Sequence, residues 1–139
     1  DNVAACGGIA KYDRKNDRFI NYNRVNGTQI KNVHINCVTE VAGKKLVFGT
    51  QSGLSFFDLN KEQFYTNKVN ANFQNENIKT IFIASNNTLW IGTLEKGIEN
   101  FDLEKGSINE YSIESNAPFQ LEGNSIKAIV EDKHKHGQT

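Results

Sequence analysis

From Ile78 to Ile113 the chain falls into four short apolar runs separated by polar breaks: "IKTIFIA" (78–84), "LWIGT" (89–93), "GIENFD" (97–102) and "INEYSI" (108–113). Runs of this length suit strands better than helices. The first is mostly apolar and predicts an inner strand buried on both faces, whereas the last alternates apolar and polar residues as a half-exposed outer strand does. The breaks carry turn chemistry. Ser85, Asn86, Asn87 and Thr88 make one, since Asn tolerates left-handed backbone angles, and "LEKGS" (103–107) makes the other. A four-stranded antiparallel meander follows, and no sustained 3.6-residue pattern predicts a helix longer than a turn or two.

The meander recurs along the chain. An aromatic-Asp pair closes the third run at Phe101 and Asp102, and matching pairs stand at Tyr12-Asp13 and Phe57-Asp58. The glycines ahead of them, Gly8, Gly53 and Gly97, are 45 and 44 residues apart. Ile35 to Thr50 aligns on Ile78 to Thr93 without a gap, and "SIKAIVED" (125–132) begins the unit again by matching "NIKTIFIA" (77–84). The units are approximately 1–29, 30–74 and 75–124, with the start of a fourth at 125–139. A period of about 40 to 50 residues made of short strands marks a β-propeller blade or a similar array. The expected fold class is therefore all-β: a β-propeller-type repeat of four-stranded antiparallel blades, about three blades' worth, an incomplete propeller.

The frame residues have structural explanations. Gly92 is expected to admit a neighbouring strand or blade at close range, while Gly53 and Gly97 sit where a tight turn needs positive φ. Each aromatic-Asp pair is expected to put its ring between blades and to bond the following turn through its Asp. Trp90 is the chain's only tryptophan and stands among glycines, as an exposed stacking surface would. Its counterpart in the second unit is Val47, so the position belongs to the shared frame and packing is its expected role.

These residues carry a family resemblance. "NNTLWIGTLEKGIENFDLEKGSINEYS", followed by "NSIKAIVED", resembles the regulator-propeller repeat of the periplasmic sensor regions of bacterial hybrid two-component systems, above all those of gut Bacteroidetes such as Bacteroides. The likeness is strong in the third unit, good in the second, where "LVFGT" replaces the tryptophan form, and weak in the first, where "NVAAC" has lost the motif glycine. It implies a seven-bladed propeller, usually two in tandem, that senses polysaccharide fragments and drives a histidine kinase across the inner membrane. It also implies a periplasmic location. No kinase, receiver or DNA-binding segment lies within these 139 residues, so the chain would be one part of such a sensor.

Composition narrows the partners. With 16 basic and 16 acidic residues the net charge is zero, which leaves no electrostatic footprint for nucleic acid or an anionic membrane. No run approaches the length of a membrane-spanning helix, so direct membrane insertion of this segment is not expected. The absence of methionine and the broken first and last units predict a piece of a larger propeller, whose open blade edges would contact the remaining blades or self-associate.

Catalytic chemistry finds little support. His134 and His136 in "KHKHG" could share a metal, but no third ligand stands nearby and a solvated tail is the plainer reading. No nucleophile, base and orienting group assemble from motifs, so neither enzyme activity nor a cofactor is expected. Cys6 and Cys37 lie outside the repeat frame; a disulfide would suit a periplasmic protein, yet isolated small residues in strands are more often inert thiols.

A ligand would meet the loops, because strands supply the frame. The long connections run from a fourth strand to the next first strand: Asn23 to His34, Lys68 to Asn77, and Glu114 to Ser125. The latter two pair a ring with an amide, Phe73 with Gln74 and Phe119 with Gln120. Amides bond sugar hydroxyls and rings stack on sugar faces, so these four residues are the candidate ligand site for an oligosaccharide. The competing reading is that Phe73 and Phe119 plug gaps between blades, as apolar loop residues commonly do.

Overall fold

The computed structural model describes residues 9–21, 24–25, 28–29, 34–65, 73, 75–106, 108–116, 118 and 120–133. Among them the regular structure is almost entirely β-strand, joined by turns and irregular backbone. β1 (Ala10–Asp13) and β2 (Arg18–Asn21) form an antiparallel pair, followed by a minimal hairpin of β3 (Arg24–Val25) and β4 (Thr28–Gln29). Two four-stranded sheets come next: β5 (Ile35–Val41), β6 (Lys45–Thr50), β7 (Gly53–Asp58) and β8 (Gln63–Tyr65), then β9 (Ile78–Ile83), β10 (Thr88–Thr93), β11 (Ile98–Asp102) and β12 (Ile108–Tyr111). Each sheet is an antiparallel meander in chain order and neither closes on itself. The strands of the third unit begin and end within about two residues of the runs read from sequence.

Two details depart from the sequence reading. The β3–β4 hairpin lies inside the connection from Asn23 to His34, where no strand was expected. The apolar run at 125–131 is not a strand: the Ile126 N–H donates to Thr93 O at 2.9 Å, yet the run forms no ladder with the described strands. One such bond docks a segment without making a strand, which needs a paired neighbour along its length.

In the sheet β5–β8 the inner strands β6 and β7 bury side chains on both faces, since adjacent side chains point opposite ways and each face meets another unit. Val47 and Phe56 join Leu54, Ile78, Leu89, Ile91 and Phe101 in the core between the two four-stranded sheets. Their neighbours Phe48 and Phe57 turn the other way and pack with Ile9 and Ile20 of the first unit. Cross-strand ring pairs reinforce both sides: Phe56 with Tyr65 at 5.6 Å, and Phe57 edge-on to Phe64 at 5.0 Å. Full burial on both faces does not extend to the first strand of this sheet. Val38 and Glu40 of β5 are exposed, since the described first unit opposes that face with only the short β1–β2 pair.

The aromatic-Asp pairs behave largely as their repetition predicts. Asp58 Oδ1 accepts from Asn60 N (2.9 Å) and Lys61 N (3.0 Å), and Asp102 Oδ1 accepts from Glu104 N (2.9 Å) and Lys105 N (3.0 Å). Asp13 does the same with Lys15 and Asn16. These backbone bonds, from Lys61 and Lys105 above all, hold the Asp58 and Asp102 carboxyls below their ordinary pKa. Phe57 and Phe101 are buried as expected, but Tyr12 is exposed, its ring tilted against Phe19 and its hydroxyl donating to Asp17 at 2.6 Å.

Close approach of the units depends on glycine at two equivalent places. A Cβ added to Gly49 would fall 2.6 Å from Cγ2 of Ile78, and one added to Gly92 would fall 2.7 Å from Cγ2 of Ile126. Each glycine on a second strand thus makes room for the first strand of the following unit. Asn36, at the bulge between Ile35 and Cys37, ties the same strands from its side chain: Nδ2 donates to Asn77 Oδ1 (3.0 Å) and to Ile78 O (2.8 Å).

Candidate functional site

The connections before and after the third unit reach the same end of it. There the turn 94–97 joins β10 to β11. Thr93 shapes this turn, since its Oγ1 donates to Gly97 O (3.0 Å) and accepts from Lys96 N (2.9 Å). Gly97 closes it at φ +84°. Thr50 and Gly53 repeat the device in the second unit, with Thr50 Oγ1 donating to Gly53 O at 2.8 Å and Gly53 at φ +108°. The turn is then held from both sides. Leu94 N donates to Asn77 O (2.9 Å) in the connection before the unit, and Gly97 N donates to Asn124 O (2.9 Å) in the connection after it.

A cavity lies beside each of these contacts. The larger, about 610 Å³, is lined by Ile113, Pro118, Gln120, Leu121 and Glu122 of the 112–124 connection. This connection is folded on itself: Leu121 N donates to Ser112 O (2.9 Å), and Ile113 N donates to Asn124 Oδ1 (3.0 Å). The smaller, about 270 Å³, lies between Asn75 to Asn77 and the residues 93–96.

Of the four residues expected to form a ligand site, the structure brings one to a cavity. Gln120 is exposed at the larger one and donates from Nε2 to Ile113 O at 2.8 Å, which leaves its carbonyl oxygen for other contacts. Phe73 is the plug that the competing reading described: it is fully buried in the core between the sheets, at 0% exposure, where it offers no face to a ligand. A wedge between two apolar sheet faces rewards an aromatic ring by removing it from water. Gln74 and Phe119 lie outside the described residues.

Trp90 takes the packing role expected of it. It is half-buried on β10, stacked on Tyr111 of β12 with ring centroids 5.9 Å apart. Cys37 has a free thiol whose pKa burial pushes up, an unreactive state, while Cys6, His134 and His136 lie outside the described residues. No group of three metal-ligating side chains occurs among the described residues, and none of their helices is long and apolar enough to cross a membrane.

Sequence reading missed a buried acidic group at the same end. Glu76 is buried beside the smaller cavity, where Lys96 Nζ donates to its Oε1 at 2.5 Å while Oε2 has no partner among the described residues. Glu99 is buried on β11, where burial and the charges of Glu76 and Glu110 raise its pKa to about 7. The available signal was that Glu99 interrupts the apolar run "GIENFD" at the place held by Ser55 in "GLSFFD".

Comparison with known proteins places this architecture. Residues 72–95, which run from the connection through β9 and β10, match the family described as Two component regulator propeller. Two solved structures from B. thetaiotaomicron share the fold. One is the extracellular domain of hybrid two component system BT4673, with 20% identity and a TM-score of 0.72, covering 91% of this chain and 17% of that one. The other is the corresponding domain of BT3049, with 22% identity and a TM-score of 0.67, covering 91% of this chain and 15% of that one. The chain thus spans less than a fifth of either. None of the curated proteins compared matches it. The match to the two component regulator propeller family spans residues 72–95, and across 91% of its length the chain shares the fold of these two extracellular domains.

Proposed function

We propose that the chain is part of the extracytoplasmic, ligand-sensing propeller of a hybrid two-component sensor histidine kinase, placed in the periplasm and responding to carbohydrate. The match of residues 72–95 to the two component regulator propeller carries this reading, supported by a fold shared with extracellular domains of such systems. In this role the chain binds and does not catalyse. The cavity bounded by Gln120 and Glu122 is the ligand site, because an amide and a carboxylate recognise hydroxyl groups and Ile113 and Leu121 supply an apolar wall.

A thermal-shift screen with mono- and oligosaccharides of plant and host origin tests it. A sugar present at about 100 times its Kd adds about 2.7 kcal/mol to stability, a shift that is easily read. Gln120→Ala should weaken that sugar's effect and leave the melting temperature without ligand in place, since Gln120 is exposed. No shift across the whole set would instead favour a propeller scaffold that holds a protein partner.

A further inference from the structure

Glu99 is the second residue of β11, with 4% exposure, directly opposite Glu110 of β12 in the ladder. Like charges at such a position destabilise an antiparallel pair. Each element around Glu99 contributes a defined group. Glu76 comes from the connection ahead of the unit, Lys96 from the turn 94–97, and β10 sets the apolar Ile91 beside it. Lys96 is bonded to Glu76, so the positive charge in the group is already shared. Among the described strands β12 is the outermost of its sheet, paired with β11 over four residue pairs, and it runs directly into the 112–124 connection.

We propose that the domain carries a second sensory input here: Glu99, with Glu110 opposite it and Glu76 beside it, is a proton-binding site whose occupancy sets how firmly β12, and with it the connection bounding the larger cavity, is held to the blade. With the proton bound, the Glu99 carboxyl is neutral and its O–H donates to the Glu110 carboxylate across the ladder. When the proton leaves to water, two anions face each other, with Glu76 behind them and Lys96 offsetting one charge. The outer strand then loosens and Ser112 moves with it. Burial, followed by the charges of Glu76 and Glu110, brings this ionisation to about pH 7. The inference goes beyond ligand sensing and does not depend on it, since the proton alone is the effector.

The chain contains its own reporter. Trp90, its only tryptophan, stacks on Tyr111 of β12, so its emission follows the attachment of that strand. In a titration of the folded 139-residue chain from about pH 5.5 to about pH 8.5, Trp90 emission should change with a midpoint near pH 7 while far-ultraviolet circular dichroism stays level. Glu99→Gln should abolish the transition. Glu110→Gln, at an exposed position that tolerates change, should move it to lower pH, and it keeps the test decisive if the first variant folds poorly. A flat wild-type titration, or an unaltered transition in both variants, overturns the proposal.

Discussion

Trp90 and Tyr111 stack across an intervening strand, their rings 5.9 Å apart and within 15° of parallel, one on β10 and the other on β12 with β11 between them. The pair occupies the sheet face that turns toward Ile126 and bridges the inner and outer halves of the unit. Tyr111→Leu keeps apolar bulk but removes the stack. It should lower stability by about 0.5–1.5 kcal/mol and shift Trp90 emission to the red, as chemical denaturation followed by fluorescence will show.

Gly92→Ala places a methyl group where Ile126 and Thr80 already stand, at 2.7 and 2.5 Å. The expected loss is about 1–3 kcal/mol, the ordinary cost of overpacking. Gly123→Ala is the control: nothing lies within 4 Å of its added Cβ, so thermal melts should stay within about 0.5 kcal/mol of wild type.

Glu99→Gln should change how stability depends on pH. The folded-state pKa lies near 7, above the ordinary 4.5, so the folded form holds this proton more tightly than the unfolded form. Wild-type stability is therefore undiminished by this group below about pH 4.5, falls as pH rises to about 7, and stays at the lower level beyond that. The variant should match wild type in acid and exceed it at pH 8 by up to about 3 kcal/mol, measured by urea unfolding at both pH values.

Phe73→Ala should cost about 3–5 kcal/mol, because the ring is fully enclosed between the sheets. A loss below about 1 kcal/mol in urea unfolding would mean that the ring is not a core residue.

Tyr12 and Phe19 form an exposed ring pair, 48% and 68% accessible, and Val130 on the docked terminal run is 87% accessible. Exposed apolar surface of this kind favours association. Light scattering after size exclusion at micromolar concentration should give a mass above the 15.6 kDa of one chain, and Phe19→Lys combined with Val130→Lys should move it toward that value.

The strands were legible in the sequence because each unit repeats one burial pattern, and repetition distinguishes a frame residue from an accident. Val47 exposed the packing role of Trp90, and three aromatic-Asp pairs revealed the turns they cap. The candidate site was less legible. A ring in a connection reads alike whether it stacks on a ligand or fills a wedge, and the outcome for Phe73 was decided by sheet geometry that no local pattern encodes. The acidic group was hidden for a related reason. Glu76, Lys96, Glu99 and Glu110 come from four separate segments, and each alone reads as an ordinary surface charge.

The turn 94–97 donates one backbone hydrogen bond to each flanking connection, at Asn77 O and Asn124 O. It therefore acts as a coupling rod between successive loops. A displacement at the larger cavity would reach Gly97 through Asn124, and three residues on, at Leu94, it would meet Asn77, which also holds the Asn36 amide. Repeated around a ring of such units, this linkage would carry a local event sideways from blade to blade without bending any sheet.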